Sequence, residues 1–214
     1  MKGVAIISPK GGTGKSTLSH LLAYGAAWRQ VPAYLLHTDE RDPMVVDGRP
    51  YAYIDARDPE TLSRVMGSMV NSNGLCVVDG GGNRPDFDRW IAEYVDLVLI
   101  PATADTEAID LAMATMDKLE RAGMNNIRFV LNMVSTNEKA RLRDFQHYFS
   151  KLDTEKIIGQ VKEAKAVKRL REPDKENPFV TLPSNINNLA RSMYELVADE
   201  LSPRPEVRLD VEIA

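Results

Sequence analysis

Residues 10–17 read Lys10-Gly11-Gly12-Thr13-Gly14-Lys15-Ser16-Thr17, set between an apolar run at 4–7 and a segment of helical spacing. A strand, a glycine-rich turn and a helix in that order make a phosphate-binding loop. The glycines let the backbone fold tightly and turn successive N–H groups inward, at a helix N-terminus that favours anions. Lys15 adds a positive charge over the β- and γ-phosphates of a nucleotide. The Ser16 hydroxyl can ligand a Mg²⁺ that bridges them. The common spacing, G-x-x-x-x-G-K-[ST], would put its first glycine at position 9, where this chain has Pro9. The loop is thus a deviant form, with Lys10-Gly11-Gly12 replacing the usual opening.

The rest of the chain supplies the context such a loop needs. Continuous apolar runs recur at 4–7, 34–36, 75–78, 97–100 and 127–131, as expected of strands covered on both faces. Between them the spacing is helical: Leu18, Leu21, Leu22 and Ala26 share a face, as do Leu62, Val65, Met66 and Met69. Phe87, Trp90, Ile91 and Tyr94 repeat the pattern, as do Ala108, Leu111, Ala112, Thr115 and Leu119. Asp58-Pro59 reads as an N-cap with a first-turn proline, and Ser135 with Glu138 as a capping box for a helix to about Ser150. A last helix is expected after Pro183, burying Leu189, Ala190, Met193, Val197 and Leu201. This alternation predicts an α/β fold, a single doubly wound and mostly parallel sheet flanked by helices, over residues 1–201. Residues 202–214, with two prolines and mixed charge, read as a C-terminal tail.

Composition narrows the setting. No run approaches the eighteen apolar residues of a membrane span, and the opening apolar run is too short for a secretory signal, so a cytoplasmic address is expected. Cys76 is the only cysteine and sits in an apolar run, which excludes an internal disulfide and reads as a small buried hydrophobe. One cysteine per subunit also cannot hold a dimer-bridging Fe–S cluster. Net charge is −4, yet between Glu138 and Lys175 eleven Lys and Arg face seven Asp and Glu. Lys162, Lys165, Lys168, Arg169 and Arg171 cluster within 160–171, expected as a basic helix suited to sequence-independent contact with DNA phosphates, against the plainer reading of a solvated face.

Two strand ends carry acids where a phosphate site requires them, since ligands of open α/β sheets bind outside the carboxyl ends of strands. Asp79 closes an apolar run, the Walker B pattern, and would hold Mg²⁺ through water. Gly80-Gly81-Gly82 follows, a backbone able to approach a γ-phosphate and to move when it leaves. The run at 34–36 leads into His37-Thr38-Asp39.

The sequence of residues 10–17 resembles that of the deviant-Walker ATPases, the family that includes ParA partition proteins and MinD, and matches their signature throughout. The resemblance implies an ATP- and Mg²⁺-dependent ATPase in which Lys10 crosses a nucleotide-sandwich homodimer to the partner's phosphates. It implies that Asp39 orients the attacking water, although His37 stands where relatives carry a first acid and Glu40-Arg41 replaces a proline–glutamine pair. It implies Asn132 as an adenine contact and Leu182-Pro183-Ser184 as a second base-flanking loop. The absence of an Asn-Lys-x-Asp sequence favours ATP over GTP. The tail lacks MinD's basic amphipathic helix, so no membrane partner is expected. A first strand expected from residue 3 leaves no N-terminal helix-turn-helix. The chain then resembles the short plasmid-partition ParA type, with a ParB-like adaptor and non-specific DNA as partners, and nucleoid association if DNA binding holds. A dethiobiotin-synthetase-like metabolic ligase and a conjugation accessory ATPase are the alternatives.

Overall fold

Residues 1–43, 48–69, 72–81, 85–171 and 182–202 are described by the structure, a computed structural model. Seven strands form one all-parallel sheet in the order β3-β2-β4-β1-β5-β6-β7. They are β1 (Lys2–Ile6), β2 (Ala33–His37), β3 (Ala52–Asp55), β4 (Leu75–Asp79), β5 (Leu97–Ala102), β6 (Ile127–Val134) and β7 (Ile157–Lys162). The helices are α1 (Lys15–Trp28), α2 (Pro59–Met69), α3 (Pro85–Ala92), α4 (Thr106–Arg121), α5 (Glu138–His147), the single-turn α6 (Lys168–Arg171) and α7 (Ser184–Leu201). The five expected strands are all present. The two added ones, β3 and β7, are the sheet's edges. All but Val161 of their residues are half-buried or exposed, so they lack the continuous apolar run that marks a central strand.

Alternation along the central strands divides the core between two faces. Val4 and Ile6 point to one side, with Leu18, Leu21 and Leu22 of α1 and Ile186, Ala190 and Met193 of α7. Ala5 and Ile7 point to the other, with Leu62 of α2, Ile91 of α3 and Ile109, Ala112 and Met116 of α4. Each fully buried leucine of α1 contributes about 1.5–3 kcal/mol. α1 is more enclosed than an amphipathic helix: every residue from 18 to 26 is buried. Gly25 makes this possible, because a Cβ there would lie 2.1 Å from the Ala190 carbonyl oxygen. Cys76 is 5% exposed, and burial pushes its thiol pKa up to about 12, which fits a packing role.

Several local expectations change. The stretch 160–171 is no continuous helix: Lys162 ends β7, Lys165 opens a 3₁₀ turn (Lys165–Val167), and Lys168, Arg169 and Arg171 lie in α6. The cap of α5 is Asn137, whose Oδ1 accepts from the Ala140 N–H at 3.0 Å, while Ser135 Oγ accepts from the Asn137 N–H. α5 ends at His147, and Phe149–Lys151 forms a separate 3₁₀ turn. Tyr94 lies past the end of α3 and is exposed, not buried with Ile91. α7 follows Pro183 as expected and buries Ala190, Met193 and Val197. Gly82, the side chains of Met69 and Phe87, and 203–214 of the expected tail lie outside the described residues. Among the described residues no helix is long and apolar enough to cross a membrane.

Candidate functional site

An all-parallel sheet puts every strand's carboxyl end on one rim, and the sequence's candidate residues gather there. The turn after β1 reaches α1 through Gly12 and Gly14, both left-handed at φ 82° and 90°. Gly14 is required twice over: besides its φ, a Cβ would sit 2.2 Å from Asn132 Nδ2. No side chain caps the N-terminus of α1, so first-turn N–H groups face the concavity of the loop. Thr13 is buried, Gly11 and Gly12 are exposed, and Ser16 and Thr17 are half-buried in the first turn of α1. Lys15 is buried and curls over the loop, its Nζ donating to the Lys10 carbonyl at 3.3 Å. Burial lowers its pKa, while the charges of Asp79, Asp88 and Asp39 pull it back up.

Asp79 ends β4 at 1% exposure, paired in register with Ile6 of β1 and His37 of β2. Burial pushes its pKa up, opposed by hydrogen bonds from Ser16 and from Ser19 Oγ (3.2 Å). Two hydroxyls and a carboxylate beside the loop are hard oxygen donors of the kind Mg²⁺ takes. Thr38 ties this strand end to the next: its Oγ1 donates to the Asp79 carbonyl at 2.7 Å and accepts from the Gly81 N–H at 3.1 Å. Gly80 has no room for a side chain, since a Cβ would meet the Ile6 carbonyl oxygen at 2.7 Å.

Beyond β2 the chain forms a braced turn. His37 is buried, and its Nε2 donates to the Arg41 carbonyl at 2.7 Å, which makes it a structural brace. Asp39 is gripped by Arg41: Oδ1 accepts from the Arg41 backbone N–H and from Nε, both at 3.0 Å, and Oδ2 from Nη2 at 2.9 Å. The guanidinium holds the Asp39 carboxyl well below the usual range. Arg57, after β3, donates to Asp42 Oδ1 at 2.9 Å and braces the turn from outside. A cavity of about 120 Å³ opens between these parts, lined by Ser16, His37, Asp39, Arg41 and Asp79, with Arg171 at its wall.

The remaining candidates are placed less uniformly. Lys10 does not lie over its own loop. Its Nζ pairs with Asp105 and with Glu107 Oε2 (2.9 Å) at the start of α4. Asn132 is buried inside β6, where a register irregularity at 131–134 turns it toward the loop; its Nδ2 donates to the Thr13 carbonyl at 2.7 Å. This bond ties the glycine-rich loop to β6. Met133, at φ 56°, is left 46% exposed beside it. Pro183 is the N-cap of α7, whose first turn is registered against α1 by Tyr24 Oη donating to Asn187 Oδ1 at 3.1 Å. Lys162, Lys165 and Lys168 are exposed, whereas Arg169 is half-buried and Arg171 faces the cavity. Arg49 anchors this segment, donating to the carbonyls of Leu170 (2.6 Å) and Arg171 (3.1 Å).

Sequence reading misses Thr38, Arg41, Asp88 and Asp105. Asp88 is 6% exposed on α3, close enough to act on Lys15. A polar residue within an apolar helical pattern is its only sign.

No protein-family model matches the sequence, and no protein of curated function does. Solved structures do match. A proposed plasmid partition protein of Borrelia burgdorferi B31, bound to AMPPNP, superposes with a TM-score of 0.69 at 16% identity, over 93% of this chain and 99% of its own. A point variant of Cyanothece McdA in complex with ATP matches at 0.69 and 14%, over 92% and 96%. MinD of Aquifex aeolicus, a cell division protein, matches at 0.68 and 16%, over 96% and 99%. Together with a glycine-rich turn on the carboxyl rim of a seven-stranded parallel sheet, these likenesses show that the chain shares its fold with the plasmid partition protein, McdA and MinD.

Proposed function

We propose that the chain is an ATP-hydrolysing switch of the partition type, which pairs two copies over bound ATP and acts on DNA through a ParB-like adaptor. The observation that carries this reading is the shared cavity: Ser16 from the first turn of α1, Asp39 beyond β2 and Asp79 at the end of β4 line one space beside Lys15. A nucleotide in the loop would place its β- and γ-phosphates under Lys15 and the first-turn N–H groups of α1. Ser16, and Asp79 through water, would hold Mg²⁺, which would neutralise phosphate charge. Asp39 would orient water toward the γ-phosphate, and Asn132, tied to the loop at Thr13, would stand beside the adenine with Pro183 flanking the base.

Lys10 would leave Asp105 and Glu107 to reach the partner subunit's nucleotide, supplying charge where a triphosphate outweighs one lysine and one Mg²⁺. The exposed lysines at the end of β7 and in the following turns would then add DNA contacts from two subunits on one surface. The partition protein and McdA among the matching folds bind AMPPNP and ATP respectively, which supports ATP as the ligand. Size-exclusion chromatography with ATP and with ADP, together with phosphate release with and without DNA, tests the reading. It requires an ATP-specific dimer and DNA-stimulated turnover. Turnover stimulated by a metabolite and indifferent to DNA would replace it with a ligase.

A further inference from the structure

Arg41 belongs to no part of the phosphate loop, yet it borders the same cavity as Ser16 and Asp79. Its three bonds to Asp39 use the backbone N–H, Nε and Nη2. Nη1 makes no hydrogen bond among the described residues, and the side chain is 76% exposed against 15% for Asp39. The guanidinium is therefore held at one edge only, by a neighbour two positions away. The pair is bidentate, but its guanidinium lies open to solvent, which screens the attraction. A terminal phosphate, doubly charged and presenting three oxygens, is a better match for the guanidinium fork than one carboxylate. The turn that carries Arg41 is braced, because its carbonyl accepts from His37 and Asp42 accepts from Arg57. The guanidinium can swing without unfolding that turn. The charges agree: Arg41 lies near enough to Asp79 and Lys15 to act on both.

We propose that Arg41 is a γ-phosphate-reading residue acting within its own subunit: its guanidinium turns from Asp39 to the terminal phosphate of a bound nucleoside triphosphate and leaves Asp39 open to water. This rests on the nucleotide site proposed above and adds a specific consequence, that Arg41 distinguishes triphosphate from diphosphate. A diphosphate has no group at that position and leaves the Asp39–Arg41 pair closed.

The test is Mg²⁺-dependent binding of ADP and of AMPPNP, by calorimetry, to wild type, Arg41→Lys and Arg41→Ala. In Arg41→Ala the affinity for ADP should stay at the wild-type value while that for AMPPNP falls roughly tenfold, the loss of one charge-assisted contact. Arg41→Lys, which keeps the charge but not the fork, should fall between. An unchanged ratio of AMPPNP to ADP affinity in Arg41→Ala overturns the proposal while leaving the nucleotide site intact. Wild type that binds neither nucleotide overturns both. A thermal melt without nucleotide controls for folding, and because the side chain is exposed it should not change.

Discussion

Lys10 is held by Asp105, 95 positions away in its own chain, with Glu107 two positions further on as a second acid. The pair raises the Lys10 pKa and lowers that of Asp105, so both stay charged at neutral pH. If Lys10 serves the partner subunit, this bond competes with dimer formation. Lys10→Ala should still bind ATP but lose the ATP-dependent dimer and hydrolysis. Glu107→Gln should do the reverse and shift dimerisation to lower protein concentration. Asp105 is the poorer target because it also caps α4 through the Ala108 N–H, a contact worth about 1 kcal/mol. Sedimentation velocity with ATP reads both variants. A Lys10→Ala protein that dimerises like wild type would remove the sandwich arrangement.

Lys15→Ala should lose nucleotide binding by roughly 2–5 kcal/mol, the scale of a buried charge-assisted contact. The ammonium is buried and already bent over the loop, so its removal would take away the cation held there by the loop's own backbone. Calorimetry with ATP decides the point. Unchanged affinity would dismiss the loop as the phosphate site.

Asp39→Ala should bind ATP and dimerise but hydrolyse at least roughly 100-fold more slowly, the usual loss for a positioned proton acceptor. The turn should survive, because His37 and Arg57 brace it independently of Asp39. Full phosphate release in this variant would move the water-orienting role to the buried Asp88.

Changing Lys162, Lys165 and Lys168 together to Glu should abolish DNA binding and spare ATP binding. All three are exposed, and none lines the nucleotide cavity. Wild-type affinity should fall with salt at a log–log slope of about −0.9 per neutralised phosphate, whatever the sequence. A triple variant that keeps salt-sensitive binding would place the DNA surface elsewhere.

The glycine-rich turn before α1 and the central strands are legible because each is a local signal: glycine spacing in one case, an unbroken apolar run in the other. Asp79 can be read from its own strand for the same reason. The edge strands cannot, since half-exposed residues such as those of β3 carry no clear period. The segment 160–171 reads as a helix only because charge spacing is its sole local cue. What ends the strand and breaks the segment is long-range: β7 pairs with β6, and Arg49 takes up carbonyls of α6. Contacts that join distant strand ends, such as Thr38 to Asp79 or Lys10 to Asp105, leave no mark on local sequence.

The enclosure of α1 fixes where motion can occur. A helix buried along nine consecutive residues, with Gly25 pressed on the backbone of α7, cannot pivot without opening the core on that face. It would be a fixed wall for a nucleotide held at the proposed site, and the turns after β2 and β4 would be parts that yield. Amide hydrogen exchange should therefore be slowest at the centre of α1 and unaltered by ATP, while residues 38–42 and 80–81 record the nucleotide's arrival and departure.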